Sequence, residues 1–208
     1  MTKVKICGIT NLEDALASLF SGAEAIGFVF YKKSPRYISP LKARNISRIL
    51  GKRISKTGVF VNSPAAQVRR IARMCGLDML QFHGDESPEY CRSFKKYKVI
   101  KALKAGCASG LENAGGYKGC FLLFDSCVNG RFGGTGKKFS WNSLVKAGKI
   151  KDPFFLSGGL TPGNVRRAIT LLRPAWVDVS TGVEAGAGKK DHRKIRKFMD
   201  AVCKRTNK

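Results

Sequence analysis

The chain has 208 residues, 43% of them apolar, which suits one domain spanning residues 1–208 with a sizeable core. No stretch approaches the roughly 18 consecutive apolar residues of a membrane helix, and the first residues lack the apolar segment of a secretory signal, so we expect a soluble, cytoplasmic protein without a membrane partner. Lysine and arginine number 39 against 14 acidic residues, and this net charge of +25 raises nucleic acid or another polyanion as a partner.

Short apolar and β-branched runs recur about every 20 to 30 residues and predict eight strands. Most of these runs are continuously apolar rather than alternating, which is typical of a parallel sheet covered on both faces. In chain order they cover residues 4–7, 25–30, 57–61, 79–83, 99–103, 121–125, 154–157 and 176–179. Helix-like segments separate them and no low-complexity linker interrupts the chain. This pattern favours the α/β class, as a single (β/α)8 TIM barrel, over an open doubly wound sheet.

Capping residues and prolines predict where the connecting helices begin. An N-cap side chain, or a proline that the first helical turn tolerates, precedes or opens most of the apolar periodic segments. These markers are Asn11, Pro40, Pro64, the pair Thr161 and Pro162, and Asp191. The segment 104–120 is rich in glycine and has few helix-forming residues, so an irregular or missing fifth helix is expected there.

The basic residues are spread over many segments rather than gathered in one. They recur at helical spacing between apolar positions, as the solvated faces of amphipathic helices do. Examples are Lys42, Arg44 and Arg48, then Arg69, Arg70 and Arg73, then Arg193, Arg196 and Lys197. No basic stretch is interleaved with aromatic residues that could stack on bases. We therefore expect no dedicated nucleic-acid site, while a non-catalytic RNA-binding or polyanion-binding protein remains the alternative from another class.

The cysteines are odd in number and contain no CxxC pair. A disulfide framework is therefore not expected, and neither is a zinc site. Most cysteines are expected to be small buried hydrophobic residues, and free thiols in this number favour a reducing compartment. A thiol sensor is a further alternative that rests on the count alone. The seven are Cys7, Cys75, Cys91, Cys107, Cys120, Cys127 and Cys203.

Polar or reactive side chains stand at the ends of many predicted strands. In a (β/α)8 barrel the carboxyl ends of the strands form the active face. The residues found there are Cys7, His83, Asp125, Ser157 and Ser180. The distribution of these residues indicates an enzyme more strongly than any one of them does.

Two glycine-containing turns follow the last two predicted strands. Gly158 and Gly159 come after strand seven, and Ser180, Thr181 and Gly182 come after strand eight. Glycine lets backbone N–H groups approach a ligand closely, and the loops after strands seven and eight often bind phosphate in these barrels. Ordinary tight turns are the alternative. The two positions together favour a phosphate-binding site.

The sequence GRFGGTGKK after strand six resembles a P-loop but lacks two of its elements. Arg131 stands where the first glycine belongs, and Lys138 stands where a serine or threonine would meet magnesium. We interpret residues 133–136 as a flexible active-site loop and expect no nucleotide triphosphatase.

The strand-end motifs together resemble phosphoribosylanthranilate isomerase, the barrel enzyme of tryptophan biosynthesis. They are VKICGIT, GFVF with SPRYI, TGVFVN, QFHGDE, LLFDS with GGTGKKFSW, SGGLTPGNV, and DVSTGVE with GKKDHRKI, in order over about residues 3–198. The resemblance implies an Amadori rearrangement that needs neither metal nor cofactor, and a family fold without a regular fifth helix. Phe82 stands where the family often has leucine, and the basic surplus is larger than in the family.

The resemblance also implies roles for individual residues. Cys7 would be the general base, which requires a lowered thiol pKa, and Asp125 the general acid, since partial burial favours a protonated carboxyl. Arg36 would bind the anthranilate carboxylate through its guanidinium fork. His83 would line or order the pocket, and Asp178 would contact the substrate or orient the phosphate loop. The partners would be a small phosphorylated substrate and, if any protein, other enzymes of the tryptophan pathway.

The sister isomerase of histidine biosynthesis is the nearest alternative among enzymes. It performs the same rearrangement on a substrate with two phosphates, so it needs a second phosphate loop near the middle of the chain. The loop FVNSPAAQ after strand three lacks a glycine-rich form, which disfavours this alternative.

Overall fold

A computed structural model describes residues 1–104, 113–125 and 152–203 of the chain, and its central feature is a closed barrel of eight parallel strands. Each strand pairs with the next along the chain, and β1 closes the barrel against β8. The strands are β1 Lys3–Cys7, β2 Ala25–Val29, β3 Ser55–Phe60, β4 Met79–Phe82, β5 Lys98–Lys104, β6 Phe121–Asp125, β7 Phe154–Leu156 and β8 Trp176–Val179. The predicted (β/α)8 barrel is confirmed.

The apolar residues of the strands form two large cores and a small cluster of Cys7, Val29 and Val59. Side chains that point outward, such as Ile6 and Phe28, pack with the surrounding helices. Side chains that point inward, such as Met79, Ile100 and Phe155, fill the barrel itself. Because both faces of every strand are covered, a continuously apolar strand is stable here. The inward positions nearest the carboxyl ends are left for the side chains of the site.

The helices run from α1 to α6 in chain order among the described residues. They are α1 Leu12–Phe20, α2 Pro40–Leu50, α3 Ala65–Cys75, α4 Pro88–Arg92, α5 Val165–Leu172 and α6 His192–Cys203. The predicted caps Asn11 and Asp191 accept hydrogen bonds from backbone N–H groups of α1 and α6. Pro40 opens α2, as predicted, whereas Pro64 occupies the cap position just before α3.

The helix after β7 begins later than predicted. Thr161 and Pro162 were expected at its N-cap and first position, but Asn164 is the residue before α5. The Asn164 side chain accepts from Thr161 N–H at 2.8 Å and donates to the Gly159 carbonyl at 2.9 Å. These bonds hold residues 161–163 in a turn, because the asparagine satisfies the polar groups that a helix would otherwise use.

Four strands end one residue earlier than predicted, at residues 29, 60, 82 and 156. The next residue still donates a hydrogen bond to the neighbouring strand in three cases, as His83 N–H does to the Phe60 carbonyl at 2.9 Å. The chain then turns out of the sheet. The apolar run in the sequence is therefore one residue longer than the strand, because its last residue is no longer paired on both sides.

Part of the irregular segment before β6 is a short 3₁₀ helix, Asn113–Tyr117. The structure does not describe the residues between β5 and this helix, which include Cys107. Cys127 and the predicted loop 133–136 also lie outside the described residues. An antiparallel hairpin follows β8 and was not predicted; its strands are β9 Glu184–Gly186 and β10 Lys189–Lys190.

The outer helices carry the basic surplus on their solvent side. Arg69 is half-buried. The other basic residues of this set are exposed: Lys42, Arg44, Arg48, Arg70, Arg73, Arg193, Arg196 and Lys197. This confirms the interpretation of these positions as solvated helix faces. In the described ranges, no helix combines the length and the apolar character that crossing a membrane requires.

Candidate active site

The predicted site residues gather at the carboxyl ends of the strands, on one face of the barrel. Cys7 ends β1 and Asp125 ends β6, two positions separated by two intervening strands around the barrel. His83 follows β4, and the two glycine-containing turns follow β7 and β8. The acid and base candidates therefore lie on different sides of one opening.

The Cys7 thiol lies against a glycine of the neighbouring strand. A Cβ atom on Gly27 would stand 2.7 Å from Cys7 Sγ, so only glycine leaves room for this sulfur position. Gly8, with φ +80°, turns the chain out of β1 at a point where Arg36 and Ser180 approach closely. Two glycines thus create the space for the thiol and for the groups above it.

An ion pair lies one inward-facing position deeper than Cys7. Lys5 and Asp178 are register partners on β1 and β8, and Lys5 Nζ donates to Asp178 Oδ1 at 2.8 Å. Both side chains are buried, Lys5 completely. Burial would lower the pKa of Lys5, but the charges of Asp178 and Cys7 raise it above its ordinary value, so Lys5 is an ammonium.

The environment raises the pKa of Cys7 rather than lowering it. Burial disfavours the thiolate most, and the positive charges of Lys5 and Lys190 oppose burial without cancelling it. The surroundings of Cys7 in the protein without substrate therefore do not favour the thiolate that the implied base role requires, because enclosure of the sulfur has a larger effect than the nearby positive charges.

Arg36 forms a two-pronged ion pair with Glu184. Its Nε and Nη2 donate to the two carboxylate oxygens at 2.8 and 2.7 Å, and Nη2 also donates to Thr181 Oγ1 at 3.1 Å. Lys190 Nζ donates to Glu184 at 2.8 Å from the other side. Burial would raise the pKa of Glu184, but these hydrogen bonds and charges hold it below its ordinary value. Arg36 Nη1 makes no hydrogen bond with the described residues.

His83 connects the acid candidate to a buried amide. His83 Nε2 lies 3.2 Å from Asp125 Oδ2. Gln81 Nε2 donates to His83 Nδ1 at 2.9 Å, which leaves the ring proton on Nε2, facing Asp125. Gln81 Oε1 is buried and has no partner among the described groups. His83 therefore links Asp125 to Gln81 on this side of the opening.

The two predicted phosphate loops contact each other. Gly158 and Gly159 both have positive φ, +86° and +67°, a conformation that favours glycine. Gly182 packs so closely on the Leu160 carbonyl that a Cβ atom there would overlap it. A 3₁₀ turn at Thr181–Val183 follows β8 after Ser180. The turns after β7 and β8 therefore lie against each other at the carboxyl ends of these strands.

Sequence reasoning missed several residues of the site: Lys5, Gln81, Asn164, Glu184 and Lys190. The one signal available was Lys5, a lysine within the otherwise apolar run that ends in Cys7. Glu184 and Lys190 gave none, because only the β9–β10 register brings their side chains together. Within residues 1–104, 113–125 and 152–203, no three His, Cys, Asp or Glu side chains gather as metal ligands.

Comparison with known proteins gives a consistent result. The sequence matches the family model described as N-(5'phosphoribosyl)anthranilate (PRA) isomerase over residues 4–201. The N-(5'-phosphoribosyl)anthranilate isomerase of Thermotoga neapolitana is 50% identical over 203 residues, covering 96% of this chain and 97% of that protein. The enzyme of the same name from Desulforudis audaxviator is 51% identical over 201 residues, with the same two coverages, 96% and 97%.

Solved structures agree with the sequence comparison. The crystal structure of phosphoribosyl anthranilate isomerase from Thermotoga maritima superposes with a TM-score of 0.91 at 45% identity, covering 97% of this chain and 98% of that one. A crystal structure of a phosphoribosyl anthranilate isomerase in complex with reduced 1-(o-carboxyphenylamino)-1-deoxyribulose 5-phosphate has a TM-score of 0.88 at 44% identity, with coverages of 97% and 98%.

Proposed function

The chain belongs to the family of N-(5'-phosphoribosyl)anthranilate isomerases, and from this premise we propose that Cys7 and Asp125 are the general base and general acid of its reaction. It is an isomerase of tryptophan biosynthesis: it converts N-(5-phosphoribosyl)anthranilate to 1-(2-carboxyphenylamino)-1-deoxyribulose 5-phosphate. The reaction is an Amadori rearrangement, an internal oxidation and reduction of aldose-ketose type. The substrate carries two anionic groups, a carboxylate and a phosphate.

The chemistry needs an acid and a base on different sides of the sugar. Protonation of the ring oxygen opens the furanose and leaves an imine at C1. Removal of the C2 proton then gives an enol-amine, which tautomerises to the ketose. Asp125 on β6 and Cys7 on β1 occupy two sides of the strand-end opening, so a substrate between them meets both groups. This arrangement of the two groups is the observation that carries the proposal.

His83 supports the acid in this scheme. Its Nε2 proton faces Asp125 Oδ2 at 3.2 Å, while Gln81 fixes the ring through Nδ1. A carboxylate formed when Asp125 gives up its proton would accept a hydrogen bond from this ring. His83 thus stabilises Asp125 after proton donation and holds the side chain in place beforehand.

Arg36 is proposed to bind the anthranilate carboxylate through the side of its guanidinium that Glu184 does not occupy. Two N–H groups on Nη1 remain for a ligand among the described contacts, and Glu184 fixes the plane of the guanidinium. The ion pair therefore orients Arg36 for the substrate rather than competing with it. Asp178 is proposed to contact the substrate or to orient the phosphate loop, and its carboxylate is paired with Lys5 one inward-facing position deeper than Cys7.

The phosphate is proposed to lie on the joined turns after β7 and β8. Gly158, Gly159 and Gly182 allow the backbone to approach an anion, and Ser180 and Thr181 add hydroxyl donors.

Three broader predictions belong to the same proposal. The chain is one barrel domain over residues 1–208, and its free cysteines favour a reducing cytoplasm. No dedicated nucleic-acid site is expected, because the basic side chains lie scattered over several helix faces. RNA binding measured across salt concentrations tests this: a saturable site with a steep salt dependence would contradict the prediction.

Replacement of the base tests the central assignment. Cys7→Ser is expected to lower kcat for N-(5-phosphoribosyl)anthranilate by about two to four orders of magnitude, because a hydroxyl is a far weaker base precursor than a thiol. Cys203→Ser, on the exposed end of α6, is the matched control and should leave kcat unchanged. The reaction is expected to need no metal ion, so the wild-type enzyme should be equally active when EDTA is present. Near-normal turnover by Cys7→Ser would remove Cys7 from the mechanism.

A further inference from the structure

Lys5 is a fully buried charged group on β1, two residues before Cys7. Its ammonium is completely enclosed, donates to Asp178 Oδ1 at 2.8 Å, and interacts with the Cys7 thiol two residues further along β1. A buried ammonium and carboxylate together are expensive, and an apolar pair of similar volume would often be at least as stable. Stability alone therefore does not explain the choice of a lysine directly below the thiol.

We propose that Lys5 is a positioning residue that stabilises the thiolate form of Cys7 during proton abstraction, and that Asp178 limits how strongly it does so. This inference rests on the proposed role of Cys7 as the general base. Lys5 itself transfers no proton: when the C2–H bond of the sugar breaks, the proton forms the S–H bond of Cys7, and the electron pair of C2–H moves into the enol-amine.

The charges on this side of the opening support the inference. The described ionised side chains around the thiol are three cations and two carboxylates: Lys5 on β1, Arg36 after β2, Lys190 on β10, Asp178 on β8 and Glu184 on β9. The ion pairs cancel two charges of each sign and leave one positive charge. This excess of positive charge favours an anion in the opening, which can be the Cys7 thiolate or the substrate carboxylate that Arg36 is proposed to bind.

The individual effects on Cys7 have opposite signs. Burial raises the thiol pKa most, the ammonium of Lys5 lowers it, and the carboxylate of Asp178 raises it by less than Lys5 lowers it. Removing Lys5 should therefore make the thiolate scarcer. Removing the charge of Asp178 should make it more abundant, because Cys7 becomes the anionic partner that remains for Lys5.

Alkylation of Cys7 by iodoacetamide over a pH series measures the thiolate directly, without turnover. Peptide mass spectrometry separates Cys7 from the other cysteines, and exposed Cys203 serves as the internal reference. In Lys5→Met the midpoint should move up by about one pH unit or more, and in Asp178→Asn it should move down. Lys5→Arg should stay near the wild-type midpoint, since it keeps the charge.

Kinetics supply a readout that a purely structural role would not move. The kcat of Lys5→Met should fall at neutral pH, recover partly as pH rises, and change more than KM. If Lys5→Met alone does not fold because it leaves Asp178 unpaired, the double variant Lys5→Met with Asp178→Asn removes both charges. Its midpoint should lie above that of the wild type, since Lys5 has the larger effect of the two.

The outcomes separate this inference from the proposed function. An unchanged midpoint in Lys5→Met and in the double variant, or shifts of the two single variants in the same direction, overturns the role of Lys5. Near-normal turnover by Cys7→Ser overturns the role of Cys7 as base even when the alkylation midpoints move as expected. Opposite shifts of the midpoints, together with pH-dependent recovery of kcat, support both.

Discussion

The two sides of the opening are built differently. The base side, at β1 and β8, holds Cys7 among closely paired ions such as Lys5 with Asp178 and Arg36 with Glu184. The acid side, at β4 and β6, has a hydrogen-bond chain from Gln81 through His83 to Asp125, and Gln81 Oε1 has no partner among the described groups.

This difference fits the roles proposed for the two groups. A base has to be anionic when it acts, so nearby cations are useful despite the cost of burying them. An acid has to keep its proton until it acts, and an imidazole can donate a hydrogen bond to the carboxylate that remains afterwards. The two sides thus place different neighbours around two groups that are proposed to act on one substrate.

The largest expected effect comes from breaking the acid side. Asp125→Asn should lower kcat by about two to four orders of magnitude, because the amide has no proton acidic enough to give the ring oxygen. The pH midpoint of Cys7 alkylation should stay unchanged in this variant, since β1 and β6 are separated around the barrel. Steady-state kinetics and the alkylation series measure the two quantities separately.

Asp200→Asn, on the exposed part of α6, is the matched control and should keep normal activity. A mild loss in Asp125→Asn would assign the acid to another group. A clear shift of the Cys7 midpoint would show that the two sides are electrostatically coupled, and the comparison between them would no longer hold.

The next effect concerns stability on the base side. Glu184→Gln leaves Arg36 and Lys190 without their shared buried carboxylate, and this should lower the free energy of unfolding by about 3–5 kcal/mol. Urea denaturation at neutral pH measures the loss. The solvent-exposed pair of Glu89 and Arg92 provides the control, and Glu89→Gln should change stability little.

The pH dependence of this loss has a defined sign. Although burial opposes it, hydrogen bonds from Arg36 and Lys190 hold the folded-state pKa of Glu184 below its ordinary value. Its contribution is therefore complete above the unfolded-state pKa of about 4.3, and it disappears as pH falls through the lower folded value. The difference between wild type and Glu184→Gln should narrow in acid. A difference that widens on acidification would contradict the assignment.

A steric change on the base side should have a smaller effect. Gly27→Ala places a methyl group 2.7 Å from Cys7 Sγ, so the sulfur has to move. Displacement of the sulfur should lower kcat by about tenfold to a hundredfold, while the charges around it stay the same. Gly115→Ala meets open space and is the control. Equal kinetics for the two variants would show that the position of the sulfur does not limit the reaction.

The strand ends were predictable from sequence because buried parallel strands are continuous apolar runs, and a polar residue at the end of such a run stands out. Asp125 after four apolar residues and Cys7 after Ile6 are examples. The turns after β7 and β8 were predictable because positive φ angles favour glycine, as at Gly158 and Gly159.

The ion pairs were not predictable, for a physical reason. Lys5 alternates with apolar residues in KVKIC, and this pattern usually places a lysine in solvent. Closure of the barrel is what directs the Lys5 side chain inward. The register of β1 with β8 is what brings Asp178 beside it. Gln81 is hidden in the same way, since its partner depends on where His83 turns after β4 has ended.

The smallest expected effect is on the acid side, at Gln81. Gln81→Leu removes the donor to His83 Nδ1 but also removes Oε1, a buried oxygen without a described partner. Loss of the hydrogen bond, worth about 1 kcal/mol, should lower kcat by up to about tenfold. Because the variant also lacks the buried Oε1, its free energy of unfolding should stay close to that of the wild type. Gln67→Leu, at an exposed position on α3, is the kinetic control. A kcat loss as large as that of Asp125→Asn would show that proton donation depends on Gln81 as much as on Asp125. The acid side would then depend on its supporting contacts as strongly as the base side does.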